Sequence, residues 1–410
     1  MKTSLQLKYQ QKKNRLNRIF LFALYLTVFS LSPCLSLTSC SDDNTKEENK
    51  MPDKKPDTPQ DSETTTRTDF SIKRGVNIGN WLSQSELRGA QRSSIFTRSD
   101  VEKLSSYGFD HLRLPVDEEQ LFHEDGTMDK ETITLVHNVI GWCQEKNMKV
   151  IFDLHIIRSH DFGNDNNPLW AEDNKEREKL MNMWKKIDNE LKQYPPQLVA
   201  YELLNEPVAP NYSQWNTLVN QFITQIRKTD TQRVLVIEAN NWGNVGNINL
   251  LNIPANEQNL ILEFHFYEPY LLTHYQASWT DFKDFTQSGK NLQYPGELIP
   301  KTFYDTLTDS EKRLAAPYNH TYSKETIQND WQKAIDFAKK KGLKLYCGEF
   351  GCLPNCGTEN RLAWTKDIVD LCTKNDIAYS YWEYNNIFGF ADRNQGGIVT
   401  NQELLDCLTK

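Results

Sequence analysis

Two glutamates stand where acid, base or nucleophile work could be done: Glu206 in Leu-Asn-Glu-Pro at 204–207 and Glu349 in Gly-Glu-Phe-Gly at 348–351. A carboxyl pair suits the cleavage of a glycosidic bond, one group protonating the leaving oxygen while the other attacks the anomeric carbon or activates water. Residues able to hold charge or a sugar recur in similar short strings. They are Arg113 in Arg-Leu-Pro, Asp153 and His155 in Asp-Leu-His, Asn205, His265 and Tyr267 in His-Phe-Tyr, and Trp382 in Tyr-Trp-Glu. A single buried Arg or His is most often structural. Two acids flanked by Arg, His, Asn and Tyr are harder to explain as packing, because each buried charge needs compensation.

Each of these strings closes a short apolar run. Strand candidates are Arg74–Ile78, His111–Leu114, Lys149–His155, Val199–Asn205, Arg233–Ala239, Leu260–Tyr267, Lys344–Glu349 and Ile377–Trp382. Continuous runs such as LVAYELL and VLVIEA suit strands covered on both faces, as in a parallel sheet. Helical patterns separate them near Glu131–Lys146, Asn174–Leu191, Ser213–Lys228, Ser323–Lys341 and Asn360–Lys374, with Ser99 as the expected N-cap of a helix closed by Gly108. Eight such units over 68–410 predict an α/β fold, a (β/α)₈ TIM barrel, whose chemistry sits at the C-terminal strand ends. The helix after the fifth strand is weak, and 268–321 reads as a long insertion on the active face. A doubly wound sheet, the other α/β option, has no phosphate-binding loop to recommend it. At or near the strand ends lie Trp81, Trp170, Trp215, Trp242, Tyr267, Tyr270, Trp279 and Trp382, candidate platforms for sugar rings, with Trp242 and Trp382 the foremost; Trp184, Trp331 and Trp364 fall in helical patterns and read as core.

Taken together and in order, Arg113-Leu-Pro, Asp153-Leu-His155, Leu204-Asn205-Glu206-Pro207, His265-Phe-Tyr267, Gly348-Glu349-Phe-Gly351 and Tyr381-Trp382-Glu383 resemble glycoside hydrolase family five, the large cellulase and mannanase family. The opening Arg74-Gly-Val-Asn-Ile-Gly-Asn-Trp81 is similar to that family's first strand, and the resemblance spans essentially Phe70–Lys410. It implies that Glu206 is the general acid and base and Glu349 the nucleophile of a retaining hydrolase. It further implies that Arg113 and Tyr267 hydrogen-bond Glu349, that Asn205 reaches the sugar 2-hydroxyl, that His155 and His265 position substrate and Glu206, and that Trp382 floors the cleavage subsite. Apolar cover and the Glu349 charge should keep Glu206 protonated near neutrality. Asp153 and Glu383 read as supporting groups.

The implied substrate is a β-linked glucan, with endo-β-1,4-glucanase preferred because His265–Tyr270 and Thr273–Trp279 resemble a loop of bacterial β-1,4-glucanases. A β-mannanase, a xyloglucanase or a β-1,3-glucanase would share the catalytic positions. From a different class, a non-catalytic surface glycan-binding lipoprotein would use the same aromatics but would not need both glutamates with an Arg. A serine hydrolase lacks its Gly-x-Ser-x-Gly elbow and a zinc hydrolase its His-Glu-x-x-His helix. The expectation is therefore an enzyme without metal or cofactor, acting on polysaccharide or oligosaccharide as a monomer.

Of the 410 residues, 38% are hydrophobic and 25% charged, and the mean hydropathy of −0.67 excludes a multi-span membrane protein. Residues 1–39 carry six of the 47 basic residues and no acid, which leaves 41 against 55 acidic groups beyond them and argues against a nucleic-acid partner. A basic stretch to Arg18, the apolar run IFLFALYLTVF and Leu37-Thr38-Ser39-Cys40 make 1–39 a lipoprotein signal peptide. Leu-Thr-Ser-Cys resembles a bacterial lipobox, so Cys40 is the expected lipidation site and first mature residue. The following Ser-Asp-Asp-Asn is similar to the export signal of Bacteroidetes surface lipoproteins. The expected location is thus the outer membrane, exposed at the cell surface, with its periplasmic face as the alternative. Residues 40–67, polar and punctuated by Pro52, Pro56 and Pro59, read as a flexible linker with a reach of about 30 Å. Cys352 and Cys356 share a loop and read as a disulfide or as free thiols, since no second Cys/His pair at zinc spacing accompanies them. If the anchor is real, Cys40→Ala will abolish lipid labelling in the native host and shift the protein from the detergent phase to the aqueous phase; unchanged partitioning would refute it.

Overall fold

The computed structural model describes residues 67–164 and 167–410. The signal, the lipidation site Cys40 and the linker up to residue 66 lie outside the described residues. Eight parallel strands close on themselves in chain order: β1 Arg74–Asn77, β2 His111–Val116, β3 Lys149–Leu154, β4 Val199–Glu202, β5 Leu235–Glu238, β6 Leu260–His265, β7 Lys344–Phe350 and β8 Ala378–Tyr381, with β8 pairing back to β1. The (β/α)₈ TIM barrel read from the sequence is therefore the observed architecture.

Alternation along the strands divides the core. Ile151, Ala200, Val236, Ile261, Tyr346 and Ala378 form one buried apolar cluster with Phe70 and Ile72, the residues leading into β1. Their neighbours on the other face, Leu112, Val150, Phe152, Tyr201, Leu235, Ile237, Leu262 and Phe264, join a much larger cluster under the helices. Each helix offers an apolar stripe to that shell. In the helix Tyr212–Arg227, Trp215, Leu218, Val219, Phe222, Ile223 and Ile226 are buried, spaced as one face of a 3.6-residue repeat demands.

Seven long helices follow the strands: α1 Arg98–Ser106, α2 Lys130–Glu145, α3 Lys175–Leu191, α4 Tyr212–Arg227, α5 Lys324–Lys341, α6 Thr358–Lys374 and α7 Gln402–Thr409. After β5 the chain makes only a tight turn at Asn240–Gly243 and a 3₁₀ segment Val245–Leu250, against which α5 packs. The weak helical pattern there is thus a real absence of helix. Residues 268–321 form short turns, 3₁₀ pieces and small helices around buried Phe282, Phe285, Leu292, Leu298 and Phe303.

The start of α1 differs from the sequence reading. Thr97, not Ser99, is the N-cap: it is extended at φ −133°, and its backbone N–H and hydroxyl both donate to the Asp100 carboxylate at 2.9 and 2.7 Å. A carboxylate at the third helical position reaches back only to the cap, so Asp100 selects Thr97 and Ser99 falls inside the first turn. Thr97→Ala should cost about 1 kcal/mol, read as a lower urea midpoint with an unchanged slope.

Candidate active site

Polar side chains begin where the apolar interior of the barrel ends. Arg113 on β2 is completely buried and is the cation around which they gather. Its Nε donates to Glu202 at 2.8 Å, Nη1 to Asn77 at 3.0 Å and to Glu349 at 2.7 Å, and Nη2 to Asn205 at 2.7 Å; Asp153 lies 3.1 Å from Nη2. Five side chains from β1, β3, β4, the β4 loop and β7 are thereby held to one planar group.

Glu349 faces this group because β7 carries a bulge. Phe264 pairs with Cys347 but the next residue of β6, His265, pairs with Glu349, so Gly348 is the extra residue. Without it Glu349 would share the outward face with Leu345 and Cys347. Only glycine can occupy that position, since a Cβ there would come within 1.6 Å of a Glu263 oxygen. Glu349 then accepts from Arg113 at one oxygen and from the Tyr267 hydroxyl at 2.9 Å at the other.

Glu206 reaches the same space from the loop after β4. Its φ of 45° is left-handed, uncommon for a residue with a side chain. One carboxyl oxygen lies 3.0 Å from His265 Nδ1. Burial pushes its pKa up to about 7, opposed by His155 and Arg113 and assisted by Asp161. Burial is the main cause, as expected, with a smaller contribution from Asp161. Desolvation also drives His265 down to about 4, so its imidazole is neutral. A carboxylate oxygen of Glu206 lies within 4.8 Å of one of Glu349, with His265 beside both.

The other expected site residues take varied places. His155 is buried, its Nδ1 2.7 Å from Asp153, and its ring stacks on Trp382 at 5.6 Å with planes 7° apart. Trp382 packs against Ala277, Leu353 and Phe388, with Tyr267 and Trp279 at the margin, so the insertion and the β7 loop both wall this corner. Asn205 spends its oxygen on Arg113, and its Nδ2 has no hydrogen-bond partner among the described residues. Trp242 is 41% exposed on the β5 loop, its indole N–H donating to the Phe162 carbonyl. Glu383 accepts from Asn80 at 2.7 Å, and burial lifts its pKa to about 7.

Three proposed platforms are core instead. Trp81 is wholly buried with its indole N–H on the Arg92 carbonyl, Trp170 packs edge-on against His160 and Trp215, and Trp215 belongs to the buried face of α4. Indoles near strand ends face inward when a loop or helix closes over them, and periodicity cannot show that closure. Cys352 and Cys356 are buried free thiols with sulfurs 3.3 Å apart.

Four site residues have no assigned role in the sequence reading: Asn77, Glu202, Glu238 and Glu263. Their signal was there, an acid or amide within a strand expected to be buried on both faces, as in LVAYE, LVIE and LILE. Glu202, Glu238 and Glu263 bring oxygens within 4.8 Å of one another, as do Glu206, His265 and Glu349, the two groupings with metal-ligand geometry among the described residues. Arg113 already brings positive charge to Glu202 in one and Glu349 in the other.

The family model for cellulase, glycosyl hydrolase family 5, matches residues 75–387. The chain belongs to glycosyl hydrolase family 5. It is a glycosidase on the (β/α)₈ scaffold. Endoglucanase C of Acetivibrio thermocellus is 29% identical over 348 residues, covering 83% of this chain and 98% of that protein. Cellodextrinase A of Ruminococcus flavefaciens is 28% identical, with 75% and 84% covered. Among solved structures, endoglucanase Cel5A of Thermotoga maritima superposes with a TM-score of 0.65 at 23% identity, covering 82% and 96%. The cellulose synthase subunit Z of Clostridioides difficile gives 0.66 at 23%, covering 83% and 100%. These two show the shared fold.

A group that must donate a proton works only while it holds one. With the Glu206 pKa at about 7, kcat/KM of the family 5 hydrolase should fall as pH rises through about 7, approaching tenfold per pH unit. A basic limb absent up to pH 9 would contradict the role.

Proposed function

We propose that this family 5 hydrolase is an endo-acting β-1,4-glucanase that retains anomeric configuration. The observation that carries the retaining reading is the separation of the two carboxyls. Oxygens within 4.8 Å of each other fit the roughly 5–5.5 Å carboxyl separation of retaining enzymes better than the roughly 6.5–9.5 Å of inverting ones. The names of its relatives, endoglucanase and cellodextrinase, support a β-glucan substrate.

In this reading Glu206, protonated, gives its proton to the glycosidic oxygen as that bond breaks. Glu349, held by Arg113 and Tyr267, attacks the anomeric carbon as a carboxylate and forms a glycosyl ester. Glu206, now a carboxylate, takes a proton from water, which displaces Glu349 and restores both groups. The free Nδ2 of Asn205 is the donor available to the sugar 2-hydroxyl, and the face of Trp382 away from His155 is the floor for the ring. Trp242 supplies a platform further along the cleft. The polysaccharide is met outside the cytoplasm, at the outer membrane, by a chain anchored through Cys40 and the 40–67 linker.

The viscosity of carboxymethylcellulose should fall well ahead of the rise in reducing ends, with weaker action on mannan and laminarin, and proton NMR of cellohexaose cleavage should show the β-anomer first. Glu206→Ala should give a burst of dinitrophenolate from dinitrophenyl β-cellobioside and, with azide, the β-glycosyl azide, while Glu349→Ala gives no burst. An α-anomer formed first, or a burst only in Glu349→Ala, would overturn the assignments. Wild-type turnover by both variants would place the catalytic groups elsewhere.

A further inference from the structure

Glu238, the last residue of β5, is buried and meets Glu206 in two ways. One oxygen, Oε2, accepts the backbone N–H of Glu206 at 2.5 Å. The other, Oε1, lies 3.5 Å from His265 Nδ1, the atom that also stands 3.0 Å from the Glu206 carboxyl. We propose that Glu238 is a positioning residue for proton transfer, holding the Glu206 backbone in its left-handed conformation and sharing His265 with it, so that the acid is aimed at the leaving oxygen. The inference rests on Glu206 being the general acid.

The surroundings are shaped for this contact. At Gly243, φ 62°, a Cβ would fall 2.2 Å from Glu238 Oε1 and 2.9 Å from the His265 backbone nitrogen, so the turn after β5 can close over the carboxyl only with glycine there. The residue before it, Trp242, is also left-handed and donates its backbone N–H to Pro207, next to Glu206. On the outer side the Trp215 indole donates to the Glu238 carbonyl at 2.9 Å. The end of β5 is thereby tied to α4, to the Asn-Glu-Pro loop and to β6 at once. A left-handed residue with a side chain is strained and persists only where its surroundings hold it, and at Glu206 the hydrogen bond to Glu238 is such a hold. Burial and the neighbouring carboxyls of Glu263, Glu206 and Glu202 raise the Glu238 pKa well above the carboxylate range, so it acts as a neutral acid. Because Oε2 accepts the Glu206 N–H, Oε1 is the oxygen assigned the hydroxyl.

A neutral carboxyl has an isostere, and that makes the role testable. The amide of Glu238→Gln keeps an oxygen for the Glu206 N–H and puts NH₂ where the hydroxyl stood, whereas Glu238→Ala removes both and Glu238→Asp withdraws them by one methylene. The readout is the leaving group. Cellohexaose needs the acid for its first step; dinitrophenyl β-cellobioside does not. Glu238→Ala and Glu238→Asp should lower kcat on cellohexaose by about 30-fold or more with KM within about twofold, and slow the dinitrophenolate burst less than about threefold, as selective damage to a general acid requires. Glu238→Gln should stay within about threefold of wild type on both. Equal losses on the two substrates, a Gln variant as impaired as Ala, or full activity of Ala would each overturn the proposal. If Ala does not fold, as judged by thermal unfolding, the Asp and Gln variants decide by the same contrast. Glu206→Ala run in parallel separates the two claims. Loss of the leaving-group contrast there refutes Glu206 as the acid, whereas a contrast there and none in the Glu238 variants refutes only the role of Glu238.

Discussion

One buried guanidinium organises the mouth of this barrel. Arg113 has no contact with solvent, so every donor of its rigid fork must find an acceptor within the protein, and the fork fixes the directions in which those acceptors can lie. Asn77, Asp153, Glu202, Asn205 and Glu349 answer from four other sectors of the barrel. Each of those strands must therefore be in register before the cation is satisfied, and loss of any one acid would leave charge uncompensated in a place water does not reach. The position of Glu349 is thus a by-product of solving a desolvation problem, which is why it can be held ready without substrate.

The same constraint divides the acids by protonation. Six carboxyls, Asp153, Glu202, Glu206, Glu238, Glu263 and Glu349, share the neighbourhood of one guanidinium, and His265 is too deeply buried to add a second positive charge. Arg113 cannot neutralise them all. Burial lifts Asp153 and Glu206 to about 7 and raises Glu238 and Glu263 well above the usual carboxylate range, so protons supply the remaining compensation. A pKa of about 7 is one at which a buried acid holds a proton much of the time near neutrality, as a proton donor to a glycosidic oxygen would have to. At Glu206 the raised pKa follows from burial, which outweighs the opposing pull of His155 and Arg113.

Loops complete what the strands begin. Glu206 and Tyr267 lie beyond the ends of β4 and β6, in segments whose path is set by tight turns and by contacts to neighbouring loops rather than by the sheet ladder. The insertion after β6 brings Ala277 and Trp279 against Trp382, and the β7 loop brings Leu353. The corner where a sugar ring would lie therefore draws on three separate loops, and subsite shape can vary without disturbing the Arg113 cluster beneath.

Much of this was legible in the chain itself. Eight apolar runs separated by helical stripes specify a (β/α)₈ barrel because a strand buried on both faces and a helix buried on one have periods that local sequence must carry. Arg113, His155, Asn205, Glu206, His265, Tyr267, Glu349 and Trp382 stood out because polar residues at the ends of such runs have few structural reasons to be there. What periodicity could not carry was contact between segments. That Gly348 is an extra residue which turns Glu349 inward, that Trp81, Trp170 and Trp215 are covered, that burial raises the Glu206 pKa, and that Glu238 lies against Glu206 all depend on which strands and loops become neighbours. Register, burial and proton affinity are properties of the closed barrel, since desolvation and charge pairing exist only once distant parts of the chain have excluded water together.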